Sequence, residues 1–165
     1  AWLEGLSPRE NRDIPPLDYD RVYRLKRVHP ELHISINGGV TSIEAARDHL
    51  LHVDGVMMGR AAYQEPWRLL AADPELFGQA APYASPRQAL EAMFPYIDRE
   101  LERGARLNSI TRHLLGLFRS VPGARAFRRH LAVHAVKPGA GIGVLREALD
   151  LVMDSPTSLT QTAAA

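Results

Sequence analysis

The sequence predicts parallel β/α structure in its first half and an all-α domain in its second. Three observations carry this. Two short apolar runs each end at glycine and lead directly into a helical pattern. Pro74, Gly78, Pro82 and Pro86 then punctuate the chain. Beyond them, apolar residues recur only at helical spacing. Two strands joined by a helix are nearly always parallel, with a right-handed crossover. The first half therefore suits a doubly wound sheet or a β/α barrel.

Taken in order, residues 1–17 contain Ser7-Pro8, Asn11, Pro15 and Pro16 and read as a loop. A helix follows over 18–29, with Tyr19, Val22 and Tyr23 at helical spacing and Pro30 as its stop. Residues 32–36 alternate apolar and polar and predict a strand ending at Asn37-Gly38-Gly39. Thr41-Ser42-Ile43-Glu44 has the form of a capping box, with Thr41 as N-cap, and predicts a helix over 42–51. The apolar run 55–58 reads as a fully buried strand ending at Gly59-Arg60, and a helix over 61–71 comes next. After the linker, Ser85 and Pro86 open a helix running to about Arg103 and ended by Gly104. Further helices are expected over 107–119, 124–136 and 143–153, separated by Val121-Pro122-Gly123 and Pro138-Gly139. The expected division is a β/α part over 1–78, a helical domain over 85–153, and a disordered Ser/Thr/Ala-rich tail over 154–165.

Composition narrows the function. With 165 residues, 45% hydrophobic and 24% charged, the chain is an ordinary globular length and balance. No apolar run approaches the roughly 20 residues that span a membrane. The first residues have neither a basic nor an apolar signal-peptide region and no initiator Met, so the chain reads as cut from something longer. The absence of cysteine excludes disulfides, thiolate metal sites and cysteine nucleophiles within the chain, and fits a cytoplasmic setting. Nothing in the pattern demands an oligomer.

The net charge of +1 conceals an asymmetry. From Arg103 to Arg146 there is no Asp or Glu, against nine basic residues, eight of them arginine. The rest of the chain holds the remaining eleven basic and all nineteen acidic residues. Segregation of this kind points to a polyanion-binding surface. Arg125, Arg128 and Arg129 lie at helical positions i, i+3 and i+4 and so share one face, with Phe127 and Leu131 available to pack the other side. Charge runs are usually solvated faces, but ordinary surfaces mix both signs and this one does not. Contacts from such a face would supply affinity and salt sensitivity rather than base choice.

The two glycine turns suggest a second site. Gly38 and Gly39 let backbone amides approach a ligand, and the helix start behind them favours an anion. Gly59 repeats the device on the next strand, and Arg60 adds a formal charge. A single such turn is explained by turn geometry alone. Two in succession suit a shared phosphate, as at the last two strands of many β/α barrels. Other candidates are weaker: His130 and His134 lack a neighbouring carboxylate or thiolate in sequence. Trp67, Phe94, Tyr96 and Phe118 read as core or inter-helix contacts rather than stacking platforms, Met57-Met58 as barrel packing, and Ser7, Ser35 and Ser42 carry no nucleophile motif.

Several motifs together resemble one family. Gly5-Leu6-Ser7-Pro8-Arg9-Glu10-Asn11-Arg12 and Ile14-Pro15-Pro16-Leu17-Asp18-Tyr19 resemble the segment after the sixth barrel strand of A-type tRNA-dihydrouridine synthases. Ser35-Ile36-Asn37-Gly38-Gly39 resembles their seventh-strand flavin-phosphate motif, and Asp54-Gly55-Val56-Met57-Met58-Gly59-Arg60-Ala61-Ala62-Tyr63 the eighth. Ile110-Thr111-Arg112-His113-Leu114-Leu115-Gly116-Leu117-Phe118 and Pro122-Gly123-Ala124-Arg125 are similar to the family's helical domain. The resemblance covers nearly all of residues 1–153.

The resemblance implies the last two strands and helices of a TIM barrel followed by a small all-α domain. It implies FMN as cofactor, NADPH as electron donor and tRNA as partner, with reduction of uridine to 5,6-dihydrouridine at D-loop positions 20 and 20a, by a full-length monomer. Asn37, Gly38, Gly39, Gly59 and Arg60 would hold the FMN phosphate, and Arg9, Arg12, Arg125 and Arg128 would contact tRNA. The chain departs from the family by absence. It lacks the first six strands, the catalytic cysteine, and the lysine and histidine near the flavin ring. The other readings are a non-catalytic RNA-binding remnant and a barrel enzyme of small phosphorylated metabolites, the latter disfavoured by the arginine-rich domain. Two strands cannot close a barrel, so the chain alone is expected to expose unpaired edges and one apolar sheet face, and to be poorly soluble or to depend on the missing part.

Overall fold

A computed structural model of the chain describes residue 10 and residues 17–153. The expected loop over 1–17, apart from residues 10 and 17, and the tail over 154–165 lie outside the described residues. The chain divides into two compact units, Ala1–Gly59 and Arg60–Ala165.

The first unit begins with helix α1, Tyr19–Val28. Asp18 caps it by accepting the Arg21 amide at 3.0 Å, and Lys26 and Arg27 complement the dipole in the last turn. Lys26 also donates to the carbonyls of Pro30 and Leu32 at 2.9 and 2.8 Å, tying down the turn that Pro30 makes. Strand β1 (Ser35–Asn37), helix α2 (Ile43–Leu50) and strand β2 (Gly55–Met57) follow as a parallel β-α-β unit. Ser35 pairs with Gly55, Ile36 with Val56 and Asn37 with Met57. Ile36, Val40, Ile43, Ala46 and Val53 form the core, and the i, i+3 spacing of Ile43, Ala46 and His49 supplies the buried face of α2.

Three expectations for this unit need correction. The first strand covers residues 35–37 rather than 32–36, because just before Ser35 a side chain replaces the ladder. Asp54 accepts the Ile34 amide on Oδ2 at 2.8 Å and donates its own amide to the Ile34 carbonyl at 3.0 Å. The second strand is not fully buried: Val56 is half-buried and Met57 is 51% exposed, since the described sheet has two strands and little covers β2. The N-cap of α2 is Ser42, not Thr41. Ser42 still has extended backbone angles, so the amide within reach of its hydroxyl is that of Ala45, at 3.1 Å.

The second unit opens with α3 (Arg60–Gln64), a 3-10 turn (Pro66–Ala71) and a π turn (Asp73–Phe77). The continuous helix expected over 61–71 is cut because Pro66 has no N–H to donate and its ring crowds the preceding turn. Helices α4 (Pro86–Ala92), α5 (Phe94–Glu102), α6 (Leu107–Thr111), α7 (Ala124–His134) and α8 (Ile142–Asp150) follow. Ser85 caps α4 as expected, accepting the Gln88 amide at 3.2 Å. Pro95 cannot donate to the Glu91 carbonyl, so the single helix expected over 86–103 breaks at Met93. The helix expected over 107–119 ends at Thr111. The chain instead turns through 112–120, which brings Gly116 so near the Gln64 carbonyl that a Cβ would lie 2.0 Å from its oxygen.

These five helices enclose one core of Leu90, Ile97, Leu107, Leu117, Phe118, Ala124, Phe127, Leu131, Ala135, Leu145, Ala148, Leu149 and Val152. The boundary between the units falls at Gly59 and Arg60, upstream of the linker that Pro74, Gly78, Pro82 and Pro86 mark in the sequence. The reason lies in contacts made by α3 and its extension. Tyr63 Oη is 2.9 Å from His113 Nδ1, and Glu65 pairs with Arg119 at 3.4 Å.

Candidate phosphate turn and basic helix

The parallel register places the turns after β1 and β2 at the same end of the sheet. Gly38 and Gly39 have φ of 117° and 66°, conformations that side chains other than glycine rarely adopt. They are also packed from one side. A Cβ on Gly38 would lie 2.8 Å from Leu17 Cδ2, and one on Gly39 would lie 2.7 Å from both Leu17 Cδ1 and Tyr19 Oη. The Tyr19 hydroxyl donates to the Gly38 carbonyl at 2.8 Å. Turn conformation and packing thus require both glycines before any ligand is considered.

The chemistry on the remaining side suits an anion. Among the described residues no hydrogen bond engages the Gly39 amide, the exposed Asn37 side chain stands beside it in sequence, and the N-terminus of α2 begins just beyond. Gly59 is exposed, and a Cβ there would meet only the Met57 thioether, at 3.7 and 3.9 Å. Asn37, Gly38, Gly39 and Gly59 are therefore brought to one sheet end. Arg60 is exposed and opens the second unit. Amide donors, a carboxamide and a helix start are groups that fit a phosphate.

Leu17 and Tyr19 are the residues that sequence reading missed at this turn. Tyr19 is legible as one apolar position of α1, but its bond to Gly38 joins residues 19 apart, and no local pattern encodes that closure. Behind it lies an aromatic-histidine cluster. The Tyr19 ring meets the His49 ring edge-on at 4.6 Å, Tyr23 Oη is 2.5 Å from His49 Nδ1, and Tyr23 lies tilted over His52 at 4.3 Å. Desolvation raises the Tyr23 phenol above its usual range, helped by negative charge at Asp20 and by Tyr19 and Asp48. The Ile34 amide, then Lys26 with its ammonium 2.8 Å away, hold the Asp54 carboxyl below the usual range.

The basic helix is α7. Arg125 and Arg129 are exposed and Arg128 half-buried, while Ala124, Phe127, Leu131 and Ala135 face the core. No carboxylate pairs with Arg125, Arg128 or Arg129 among the described residues. Other arginines of the acid-free span reach outside it: Arg103 pairs with Glu100 at 2.8 Å and Arg119 with Glu65. Arg9 and Arg12, expected to join this surface, lie outside the described residues. The His130 and His134 rings stack at 4.4 Å beside a cleft of about 280 Å³ lined also by Ala126, Arg129, Val133 and Leu151. A carboxylate does approach in space, Glu147 Oε2 at 3.1 Å from His130 Nε2, but without hydrogen-bond geometry. Among the described residues no group of three His, Cys, Asp or Glu is placed to hold a metal ion.

Of the aromatics expected in the core or between helices, Phe118 is buried and meets Phe127 edge-to-face at 4.9 Å. Phe94 is partly buried with the Arg146 guanidinium 5.2 Å above it, and Trp67 is half-buried. Tyr96 is 46% exposed, because the buried stripe of α5 runs through Ile97 and Leu101 and Tyr96 falls about 100° away from Ile97.

The fold and its two sites define a class: a β/α unit with anion-fitting glycine turns at its strand ends, continued by a helical domain bearing a basic face. Residues 3–152 match the family model for dihydrouridine synthase (Dus), and the chain belongs to that family. It is 58% identical over 155 residues to the tRNA-dihydrouridine(20/20a) synthase of Yersinia pestis, covering 94% of this chain and 45% of that protein. Against the synthase of the same name from Escherichia coli K12 it is 58% identical over 154 residues, covering 93% and 45%. The Vibrio vulnificus counterpart is 57% identical over 149 residues, covering 90% and 46%. The chain thus spans a little under half the length of these relatives. Among the described residues no helix is long and apolar enough to cross a membrane.

Proposed function

We propose that this chain is the part of a tRNA-dihydrouridine(20/20a) synthase that follows the sixth strand of its TIM barrel. On this reading β1 and β2 are the last two barrel strands, and the five-helix core is the RNA-binding domain. The observation that carries it is identity of 58% spread over 93% of the chain with a synthase of that name, taking in both glycine turns and the basic helix. Asn37, Gly38, Gly39, Gly59 and Arg60 would hold the phosphate of FMN, with NADPH as electron donor. Bound FMN would supply the redox chemistry that reduces uridine at positions 20 and 20a. The residues here would bind and orient it. Protonation of the base would fall to the catalytic cysteine that the family resemblance implies, a residue type this chain does not contain. Arg125 and Arg128, with Arg9 and Arg12, would contact tRNA phosphates, where planar guanidinium forks suit paired oxygens. The setting would be the cytoplasm, and the full-length protein a monomer.

The missing cysteine favours one other reading, a non-catalytic RNA-binding remnant of such an enzyme. A single preparation separates the two. The full-length protein carrying this chain is expected to bind FMN and to consume NADPH in the presence of unmodified tRNA. A protein that binds tRNA but neither takes up FMN nor oxidises NADPH would establish the remnant. The RNA surface has its own test. The double variant Arg125→Ala, Arg128→Ala should weaken tRNA binding and make its salt dependence shallower, by about 0.7–0.9 in slope for each phosphate left without its arginine. Unchanged affinity and slope would remove α7 from the interface.

A further inference from the structure

We propose that Tyr19 is a positioning residue for the phosphate turn, its hydroxyl holding the Gly38 carbonyl toward α1 so that the next amide faces the ligand side. The inference deepens the phosphate reading above and rests on it.

The peptide between Gly38 and Gly39 is the pivot. No cis peptide is present among the described residues, so this one is planar and trans, with its C=O and N–H pointing in opposite directions. Tyr19 Oη donates to that carbonyl at 2.8 Å. The Gly39 N–H must then point away from Tyr19, toward the side where no hydrogen bond engages it among the described residues. Without this bond the turn has little to fix it. Two successive glycines at positive φ have no Cβ to limit rotation, and the intervening peptide can flip at low cost. A flip would aim a carbonyl, rather than an amide, at the anion.

Tyr19 is itself held. It is the first residue of α1, next to the Asp18 cap, and its ring packs edge-on against His49. His49 is 8% exposed, and its Nδ1 is bonded to Tyr23. Leu17 fills the rest of the space behind the glycines. A donor fixed in advance by packed neighbours binds more tightly than one that must be ordered on binding.

The test uses the full-length protein carrying this chain, stripped of flavin and titrated by fluorescence with FMN and with riboflavin, which lacks the phosphate. Tyr19→Phe keeps the ring and removes the hydroxyl. It is expected to weaken FMN by about tenfold while leaving riboflavin unchanged, the size of one hydrogen bond to a charged group. Tyr23→Phe, which removes a hydroxyl from the same cluster but none from the turn, should leave the FMN-to-riboflavin ratio unaltered. The proposal is overturned if Tyr19→Phe keeps the wild-type ratio, whether both affinities stand or both fall together. It is also overturned if Tyr23→Phe shows the same selective loss, because the effect would then be a loosened cluster. A wild-type protein that binds FMN no better than riboflavin would remove the phosphate reading itself, and this proposal with it.

Discussion

At the scale of single residues, the sharpest consequences follow from what a small change would meet. A Cβ at Gly116 would lie 2.0 Å from the Gln64 oxygen and 2.7 Å from its carbonyl carbon, and backbone cannot swing aside as a side chain can. Gly116→Ala should therefore destabilise the helical domain by about 1–3 kcal/mol, as overpacking does. Gly143, in the first turn of α8, has no atom within 4 Å of the added carbon and no positive φ. Gly143→Ala should stabilise by about 0.5 kcal/mol through lost freedom in the unfolded chain. Urea denaturation of the two variants checks both signs, and a shared sign would refute the role given to packing. Asp54 gives a pH prediction. Its folded carboxyl lies below the usual range, so its stabilisation is present above the unfolded value of about 3.9 and is lost as pH falls through the folded one. Asp54→Asn should flatten the acid arm of a melting-temperature profile, and parallel profiles for the two proteins would show that Asp54 does not shape it. These residues differ in how legible they are in the sequence. The glycines of Asn37-Gly38-Gly39 are visible as a turn because glycine at a strand end has few other uses. Gly116 and Asp54 are not, because each owes its role to a partner, Gln64 or Ile34, that no local pattern identifies.

At the scale of elements, the sequence exposes helices through periodicity and misplaces their ends where tertiary contacts intervene. The start of α4 is read correctly because Ser85 is a cap whose partner amide lies three residues on, whereas the helix expected over 18–29 begins at Tyr19, since Asp18 is its cap and accepts the Arg21 amide. The breaks at Met93 and after Gln64 follow from Pro95 and Pro66, which the apolar spacing overrode. The early end of α6 could not be read, since it depends on the approach of Gly116 to Gln64. The end of α8 is a further long-range device. Arg87 of α4 donates through Nη2 to the carbonyls of Leu149 and Val152 at 2.8 and 3.1 Å, joining the Val152 amide that the Leu149 carbonyl already accepts at 2.9 Å. Its side chain is 22% exposed, so water replaces these bonds poorly. Arg87→Met keeps the stem and loses the donors. It should destabilise the domain by about 1–3 kcal/mol, with hydrogen exchange rising first at residues 149–153. A loss spread evenly over the domain would mean that Arg87 acts through general packing rather than as a cap.

At the scale of the whole molecule, the two units differ in how completely they satisfy themselves. The helical unit surrounds its core with five helices, and its central residues Ile97, Phe127, Leu145 and Ala148 are fully buried. The first unit carries a sheet of two strands with three paired residues each, so among the described residues every outward-facing strand amide and carbonyl lacks a ladder partner. Met57, Leu25, Val28 and Leu32 are exposed in the same unit. Isolated two-stranded pairings are marginal in water, and open edges invite association. The chain also spans 45% of its Yersinia pestis relative, and a β/α barrel supplies strands on both sides of any pair. The chain alone should therefore be prone to aggregate, with a protected helical domain and a weakly protected sheet. Hydrogen exchange on the chain by itself, compared with the same chain inside a full-length synthase, measures this directly. Protection over 34–37 and 55–57 should rise strongly in the longer protein, while protection over 124–134 and 142–150 stays nearly constant. Equal protection of the strands in both would mean that the two-stranded unit is self-sufficient, and the barrel reading of its open edges would fail.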